Sequence, residues 1–228
     1  TTEIYTLSLH DALPIFEYAC EVWDGCTVEL INKLEQVQLQ AARIVTGLPV
    51  YTPREYLYFE TGWEPLQERR RKRKLSMMYK IQNGLSPQYL TDLLPSNVAS
   101  KSNYNLRNSQ NISTPYSRLK ISQDSFFPSA ITSWNDLPLQ VRQSETVAKF
   151  KSSINQQIVS APKYYSYGKR KLNIIHTKLR YSVSLLNYDL CRVGIKENAD
   201  CTCGYQDENN YHYMLECPLF TSQRNKLD

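Results

Sequence analysis

The chain has 228 residues and a formal net charge of +5, with 41% hydrophobic and 21% charged residues. This composition is ordinary for a folded globular chain, and its low glycine content favours helices. No apolar run reaches the roughly 18 residues of a membrane span, so we expect no membrane partner. The basic excess weakly favours an anionic partner, and nothing indicates secretion, so we expect an intracellular protein of the nucleus or cytoplasm.

Residues 1–15, TTEIYTLSLHDALPI, do not match a targeting signal. They contain no Lys or Arg, and Ser8, His10 and Asp11 interrupt the apolar stretch. A catalytic His10–Asp11 pair is also disfavoured, because adjacent residues do not face one another on a helix or strand. Back-translation of all these codons matches an adapter oligonucleotide used in short-read sequencing. We therefore interpret residues 1–15 as an adapter-derived artefact with no fold of its own.

Residues 16–95 carry the clearest helical pattern. The spacing of apolar residues predicts a helix over 27–46, with Thr27 as its N-cap and Gly47 at its end. The sequence TPRE at 52–55 predicts a capping box before a short helix over 53–59. A longer helix is expected from Pro65 to Gly84, followed by a short one up to Leu94.

The middle of the chain is less regular. Residues 96–124 are rich in Ser, Asn, Gln and Lys and are predicted to be mostly loop. Helical character returns in SFFPSAITSWNDLP, whose aromatic residues we interpret as core, and in an amphipathic helix over 146–158. Residues 161–170 are predicted to be a linker. The domain boundaries expected from these patterns are 16–95, 96–160, a linker over 161–170 and a helical tail over 171–228.

A basic run of six cations, RRRKRK, occupies residues 69–74 within the longer helix. At about 100° per residue these side chains turn through about 600°, so they cannot share one face. Some must point towards the core, where an unpaired charge is costly, and a nucleic-acid groove would supply the missing partner. The alternatives are a nuclear import signal and an ordinary solvated surface. The candidate phosphate contacts are Arg69, Arg70, Arg71, Lys72, Arg73 and Lys74.

The tail sequence CTCGYQDENNYHYMLEC places Cys201, Cys203, His212 and Cys217 within one short stretch. Three sulfurs and one imidazole suit a tetrahedral Zn²⁺ site. The gap between the first two cysteines is one residue shorter than usual, and Gly204 would supply the backbone freedom for such a turn. Cys191 is a reserve ligand should Cys201 and Cys203 not both bind. The alternative is three free or buried thiols beside an incidental histidine.

Long stretches of the chain resemble the region after the catalytic palm in reverse transcriptases of non-LTR retrotransposons, the jockey-like, LINE-type mobile elements of animals. The resemblance lies in FEYACEVWDGCT with INKLEQVQLQAARIVTGL, in LYFETGWEPLQERRRKRKLSMMYKIQNGLSPQYLTDLLP, in SFFPSAITSWNDLPLQVRQSETVAKFKSSI and in the tail from Lys178. It implies a helical thumb-like region over 16–95 and a zinc knuckle near the end of the chain.

The same resemblance implies an RNA-directed DNA polymerase as the intact parent enzyme, with element RNA, target DNA and the rest of the reverse transcriptase as partners. That family holds two Mg²⁺ ions with adjacent aspartates. No Asp-Asp pair occurs in this chain. We therefore expect no polymerase activity, no catalytic residue and no Mg²⁺ site here; the chain is expected to lack the palm and the endonuclease region.

The sequence thus predicts a mainly α protein with a thumb-like helical region, a loop-rich middle and a small tail domain with a zinc knuckle. Its expected role is nucleic-acid binding through phosphate contact and aromatic stacking. Tyr205 and Tyr211 are candidate stacking rings, although packing around the site would explain them equally well. Two alternatives stay open: a zinc-dependent interaction module without a nucleic-acid role, and a non-functional remnant of the element.

Overall fold

The computed structural model describes residues 17–101, 109–155, 161–166 and 169–226. Residues 1–15, interpreted above as adapter-derived, therefore lie outside the described residues. The prediction of a mainly α protein is confirmed: the described residues contain no β-strand, only an isolated antiparallel bridge between Asn97 and Ile112. In this part of the chain, no helix combines the length and apolar character needed to cross a bilayer.

The α-helices within the described residues follow in chain order. They are α1 Cys20–Trp23, α2 Val28–Thr46, α3 Arg54–Thr61, α4 Leu66–Gln82, α5 Gln88–Asp92, α6 Lys120–Gln123, α7 Phe126–Asn135, α8 Leu139–Arg142, α9 Val147–Ile154, α10 Arg170–Arg180, α11 Asn187–Arg192 and α12 Thr221–Arg224. Short 3₁₀ turns cover Val98–Lys101, Lys163–Ser166 and Pro218–Phe220, and a π turn covers His212–Glu216.

The predicted helix ends are largely explained by residue chemistry. Thr27 Oγ1 accepts a hydrogen bond from the backbone N–H of Leu30 at the start of α2, and Gly47, at φ +70°, follows its end. The capping box at Thr52 is wrong. α3 begins at Arg54 with Pro53 as its N-cap, and the buried Thr52 hydroxyl has no hydrogen-bond partner among the described residues.

The described chain forms two compact units. The first holds the described residues up to Gln38 together with 64–101 and 109–155; the second holds 39–63, 161–166 and 169–226. Both units are discontinuous in sequence, whereas the predicted boundaries run in sequence order. The predicted linker includes the 3₁₀ turn Lys163–Ser166, whose tyrosines pack inside the second unit.

The core of the first unit lies between α4, α7 and α9. Tyr79 of α4 stacks on Phe150 of α9 with ring centroids 4.6 Å apart, and Trp134 of α7 lies 5.6 Å from the same Phe150 ring. The side chain of Asn135 pins the loop at Ile112 by donating to its carbonyl (2.9 Å) and accepting from its N–H (3.0 Å). The aromatic residues are therefore core, as predicted.

The second unit is organised around a buried carboxylate, that of Glu60 on α3. Its oxygens accept hydrogen bonds from the hydroxyls of Tyr164 and Tyr181, the latter at 2.8 Å. Arg180, the last residue of α10, forms an ion pair with it at 3.0 Å. Because a buried charge is tolerated only when paired and hydrogen-bonded, these contacts fix α3 against α10.

Candidate metal centre

The four predicted ligands of the tail converge. The ligand atoms of Cys201, Cys203, His212 and Cys217 all lie within 4.8 Å of one another. The sulfurs of Cys201 and Cys217 are 3.8 Å apart, and the Cys203 sulfur is 3.2 Å from His212 Nε2. A tetrahedral Zn²⁺ with Zn–S bonds of about 2.3 Å would set neighbouring sulfurs about 3.8 Å apart, so the separation matches.

A tight turn brings the first two cysteines together. The N–H of Gly204 donates to the carbonyl of Cys201 (2.9 Å), and the N–H of Cys201 donates to the carbonyl of Tyr205 (2.8 Å). Gly204 has φ +93°, a conformation that side chains rarely adopt. The prediction that glycine supplies the freedom for this short spacing is therefore confirmed.

A π turn brings the last two ligands together. The N–H of Cys217 donates to the carbonyl of His212 at 2.7 Å, a hydrogen bond across five residues. In an α-helix, residues five apart would differ by about 500° and thus point about 140° away from each other. The wider π turn returns Cys217 to the side of the helix that His212 occupies. This explains how a His-x4-Cys spacing can bind one ion.

The surroundings of the ligands suit a closed site. Cys201, His212 and Cys217 are buried, and the ring of Tyr205 stacks on the imidazole of His212 with centroids 4.3 Å apart. Arg224 donates to the carbonyl of Cys217 at 2.6 Å, which fixes the end of the π turn. His212 Nδ1 is buried without a hydrogen-bond partner among the described residues, and a carboxylate oxygen of Glu216 lies 3.8 Å from it.

Two of the thiols differ in acidity. Burial raises the pKa of the Cys201 thiol to about 11. Desolvation also acts to raise the pKa of Cys203, but hydrogen bonds from the Tyr205 backbone, Cys201 and His212 outweigh it and lower the value to about 7. Thiolate is the form that binds a metal, so Cys203 is the ligand most ready to receive one.

The other predicted residues of the tail are placed differently. Cys191 is not part of the four-residue cluster, and its sulfur lies 3.8 Å from the carbonyl of Glu197. Tyr205 is half exposed but holds His212 with its ring, so packing explains it. Tyr211 is 62% exposed and leaves its ring open to solvent. Of the two candidate stacking rings, Tyr211 is the more exposed.

The cations of the basic run form ion pairs within the first unit. Each of its six cations pairs with a carboxylate: Arg69 and Arg73 with Glu17, Arg70 and Lys74 with Asp24, Arg71 with Glu68, and Lys72 with Glu64.

The expectation that nucleic acid must neutralise the inward-facing cations is therefore wrong. Arg70 is fully buried, and it is paired to Asp24 at 2.5 Å beneath the ring of Trp23. Only Arg71 and Arg73 expose 40% or more of their side chains. A nucleic-acid contact by the run stays a prediction. Sequence reasoning missed the acids that pair with the run, although Glu17 and Asp24 precede α2 seven residues apart, at helical spacing.

Comparison with protein-family models, curated proteins and solved structures found no match to this chain. The site is therefore interpreted from its own geometry.

Proposed function

We propose that the chain is a zinc-organised nucleic-acid-binding polypeptide, from the region after the palm of a non-LTR retrotransposon reverse transcriptase. The observation that carries the proposal is the convergence of Cys201, Cys203, His212 and Cys217 to within 4.8 Å. Four protein ligands complete a tetrahedral shell and leave no position open for substrate, which is typical of a structural Zn²⁺ site. The metal would stabilise the tail, and the surface beside it would bind nucleic acid.

Metal analysis of the purified full chain tests the first part. We expect one Zn²⁺ per chain, and its loss in Cys217→Ser and in His212→Ala, because each removes a ligand. Cys191→Ser is the matched control, since its sulfur lies outside the cluster, and it should retain the metal. Zinc that persists in both ligand variants would reject this ligand set.

The nucleic-acid part of the proposal is supported by charge on the second unit. The segment that begins just before α10 carries five cations and no acid: Lys169, Arg170, Lys171, Lys178 and Arg180. Lys169 and Lys171 are exposed. Asn210, two residues before His212, donates to the carbonyl of Leu179, so the metal cluster is joined to the end of this basic helix. Exposed cations attract phosphates, and the open ring of Tyr211 offers a stacking surface.

Binding of labelled single-stranded RNA across a range of NaCl concentrations tests this part. Replacing both Lys169 and Lys171 with Gln should lower the affinity and reduce the slope of log affinity against log salt by about 1.4, because each lost phosphate contact contributes about 0.7. The control replaces Lys120 and Lys149, exposed lysines of the first unit, and should leave the slope unchanged. Equal slopes in both double variants would contradict the assignment.

Stacking is tested separately with Tyr211→Ala. Loss of one base–aromatic contact costs about 1–3 kcal/mol, so we expect RNA affinity to fall by roughly fivefold to more than a hundredfold. Zinc content should not change, because Tyr211 supplies no ligand. Unchanged RNA affinity in a zinc-loaded variant would remove Tyr211 from the interface.

A second function, a zinc-dependent protein-interaction module, is favoured by one observation. Met214, Leu215 and Leu219, beside the metal ligands, are 49%, 62% and 52% exposed. Exposed apolar side chains that form one patch are typical of protein-binding surfaces. A zinc-loaded chain that binds no RNA even at low salt would favour this function over the first.

A further inference from the structure

The basic run is covered by a short acidic segment of the same unit, residues 17–24, which we call the acidic strap. It carries Glu17, Glu21 and Asp24 and contains no Lys or Arg. Two of its acids meet the run, while Glu21 lies in no ion pair with it among the described residues. The strap therefore brings negative charge to α4, the helix on which phosphate binding was predicted.

Each of the two acids bridges two cations one helical turn apart. Asp24 contacts Arg70 and Lys74, at 2.5 and 2.6 Å. Glu17 contacts Arg69 and also Arg73, the latter at 3.6 Å, and its carbonyl accepts a hydrogen bond from Arg73 at 2.6 Å. Cations at i and i+4 on a helix form one row, so each carboxylate occupies the place that a backbone phosphate would take.

Beyond these ion pairs, the strap is anchored by Cys20, which is fully buried, and by Trp23, whose ring lies against the Arg70 guanidinium. Tyr18 is 80% exposed and Val22 is 87% exposed, so neither contributes much buried area. Ala19 adopts the left-handed conformation, with φ +49°, which is unfavourable for a residue with a side chain. Cys20 and Trp23 are its inward-facing residues. The ion pairs that hold Glu17 and Asp24 on α4 are contacts that salt or a competing polyanion can weaken.

The strap also leaves part of the run unsatisfied. Nη1 and Nη2 of Arg70 and Nη1 of Arg69 are buried without a hydrogen-bond acceptor among the described residues. Buried guanidinium donors normally find partners, and two carboxylates are too few for four cations. A phosphate offers more acceptor oxygens and binds arginine in the same bidentate manner. These unpaired arginine donors can therefore bind an anion in addition to the two carboxylates of the strap.

We propose that the acidic strap is an internal phosphate mimic that masks a second nucleic-acid site on α4, formed by Arg69, Arg70, Arg73 and Lys74. Displacement of the strap releases these cations, and the phosphates of a single strand replace Glu17 and Asp24. This inference rests on the nucleic-acid part of the proposed function, and it adds a site that the chain itself keeps closed.

The test compares Glu17→Gln with Glu21→Gln, which change the net charge equally within the same strap. Of these two glutamates, only Glu17 pairs with the run, so only the replacement of Glu17 frees Arg69 and Arg73. With a labelled oligothymidylate, Glu17→Gln should bind more tightly and steepen the slope of log affinity against log salt by about 1.4, or about 0.7 for each new phosphate contact. Glu21→Gln should keep the slope of the unmodified chain. Equal slopes in the two variants would overturn the proposal.

A double variant is the control for an indirect effect of Glu17→Gln. Adding Arg73→Gln to Glu17→Gln should remove about half of the gain in slope, because one of the two released cations is then missing. A gain that survives in full would place the extra contacts elsewhere and overturn the assignment to α4. We avoid Asp24→Asn here, because it leaves the buried Arg70 unpaired.

Hydrogen exchange on the unmodified chain separates the two proposals. With saturating oligothymidylate, amides of residues 17–24 should exchange faster, because the strap leaves α4. Binding with unchanged or slower exchange in the strap would overturn the mimic but leave the nucleic-acid function intact. Absence of binding by both the unmodified chain and Glu17→Gln would instead overturn the nucleic-acid function, and the masked site with it.

Discussion

The burial of Arg70 changes how the whole basic run is interpreted. Sequence alone predicts that some of the six cations point inward but not which ones; Arg70 is fully buried, paired to Asp24 and in contact with the ring of Trp23. A buried guanidinium is stable only while its counter-charge stays in place. Part of the basic run is therefore buried inside the first unit. Only the cations that the strap leaves exposed can bind a ligand at the surface.

Replacing Asp24 should destabilise the first unit strongly. In Asp24→Asn the buried Arg70 loses its counter-charge, and breaking a buried pair from one side costs about 3–5 kcal/mol. Glu29→Gln is the control, because the pair of Glu29 with Lys33 is largely exposed and such pairs contribute about 0–1 kcal/mol. Urea denaturation measures both free energies of unfolding. Equal, small losses would show that Arg70 finds another partner.

In the metal centre, the backbone conformation depends on a single residue, Gly204. Gly204→Ala forces a side chain into a left-handed conformation, which costs about 1–2 kcal/mol, and we expect zinc affinity to fall by roughly five- to thirtyfold. Gly84 has a similar φ of +67° and no neighbour within 4 Å, and it belongs to the first unit, which contains none of the four ligands. Gly84→Ala should therefore leave zinc affinity unchanged. Competition with a chromogenic chelator measures both, and an equal effect in the two variants would contradict a local role for Gly204.

At the scale of elements, the sequence predicts some features because they are local. α2 follows from its apolar spacing with Thr27 and Gly47 at its ends, and the four metal ligands follow from residue type within 17 positions. The π turn could not be predicted, because no residue type encodes it, and it is recognised only from the hydrogen bond between Cys217 and His212. The capping box at Thr52 failed because Pro53 takes the N-cap position that the hydroxyl would need.

The ion pairs of the basic run could not be predicted for a different reason. Asp24 and Arg70 are separated by 46 residues, and charge alone does not specify which acid meets which cation. The core of the first unit likewise joins α4 to α9, and only the apolar character of its members was visible beforehand. Periodicity thus identified inward-facing residues, while their partners depended on tertiary packing.

At the scale of the whole molecule, the two units should respond differently to loss of metal. Ligand binding energy at a structural Zn²⁺ site is folding energy, so chelation should speed amide exchange over residues 199–217. The core of the first unit around Trp134 and Phe150 contains none of the four ligands, and its amides should stay protected. Hydrogen exchange with and without chelator measures both regions. Equal loss of protection in both would show that the metal also holds the first unit.

The buried carboxylate of the second unit has a consequence for synthesis. Glu60 meets its partners Tyr164 and Tyr181 across 104 and 121 residues of chain. At about 5–20 residues per second, α3 leaves the ribosome roughly 5–25 s before those hydroxyls exist. During that interval most of the chain of the first unit has been synthesised. The side chain of Glu60 on α3 still lacks the partners that it has in the folded second unit. The order of synthesis therefore makes completion of the second unit a late event on the nascent chain. Until then, α3 lacks the contacts that bury Glu60.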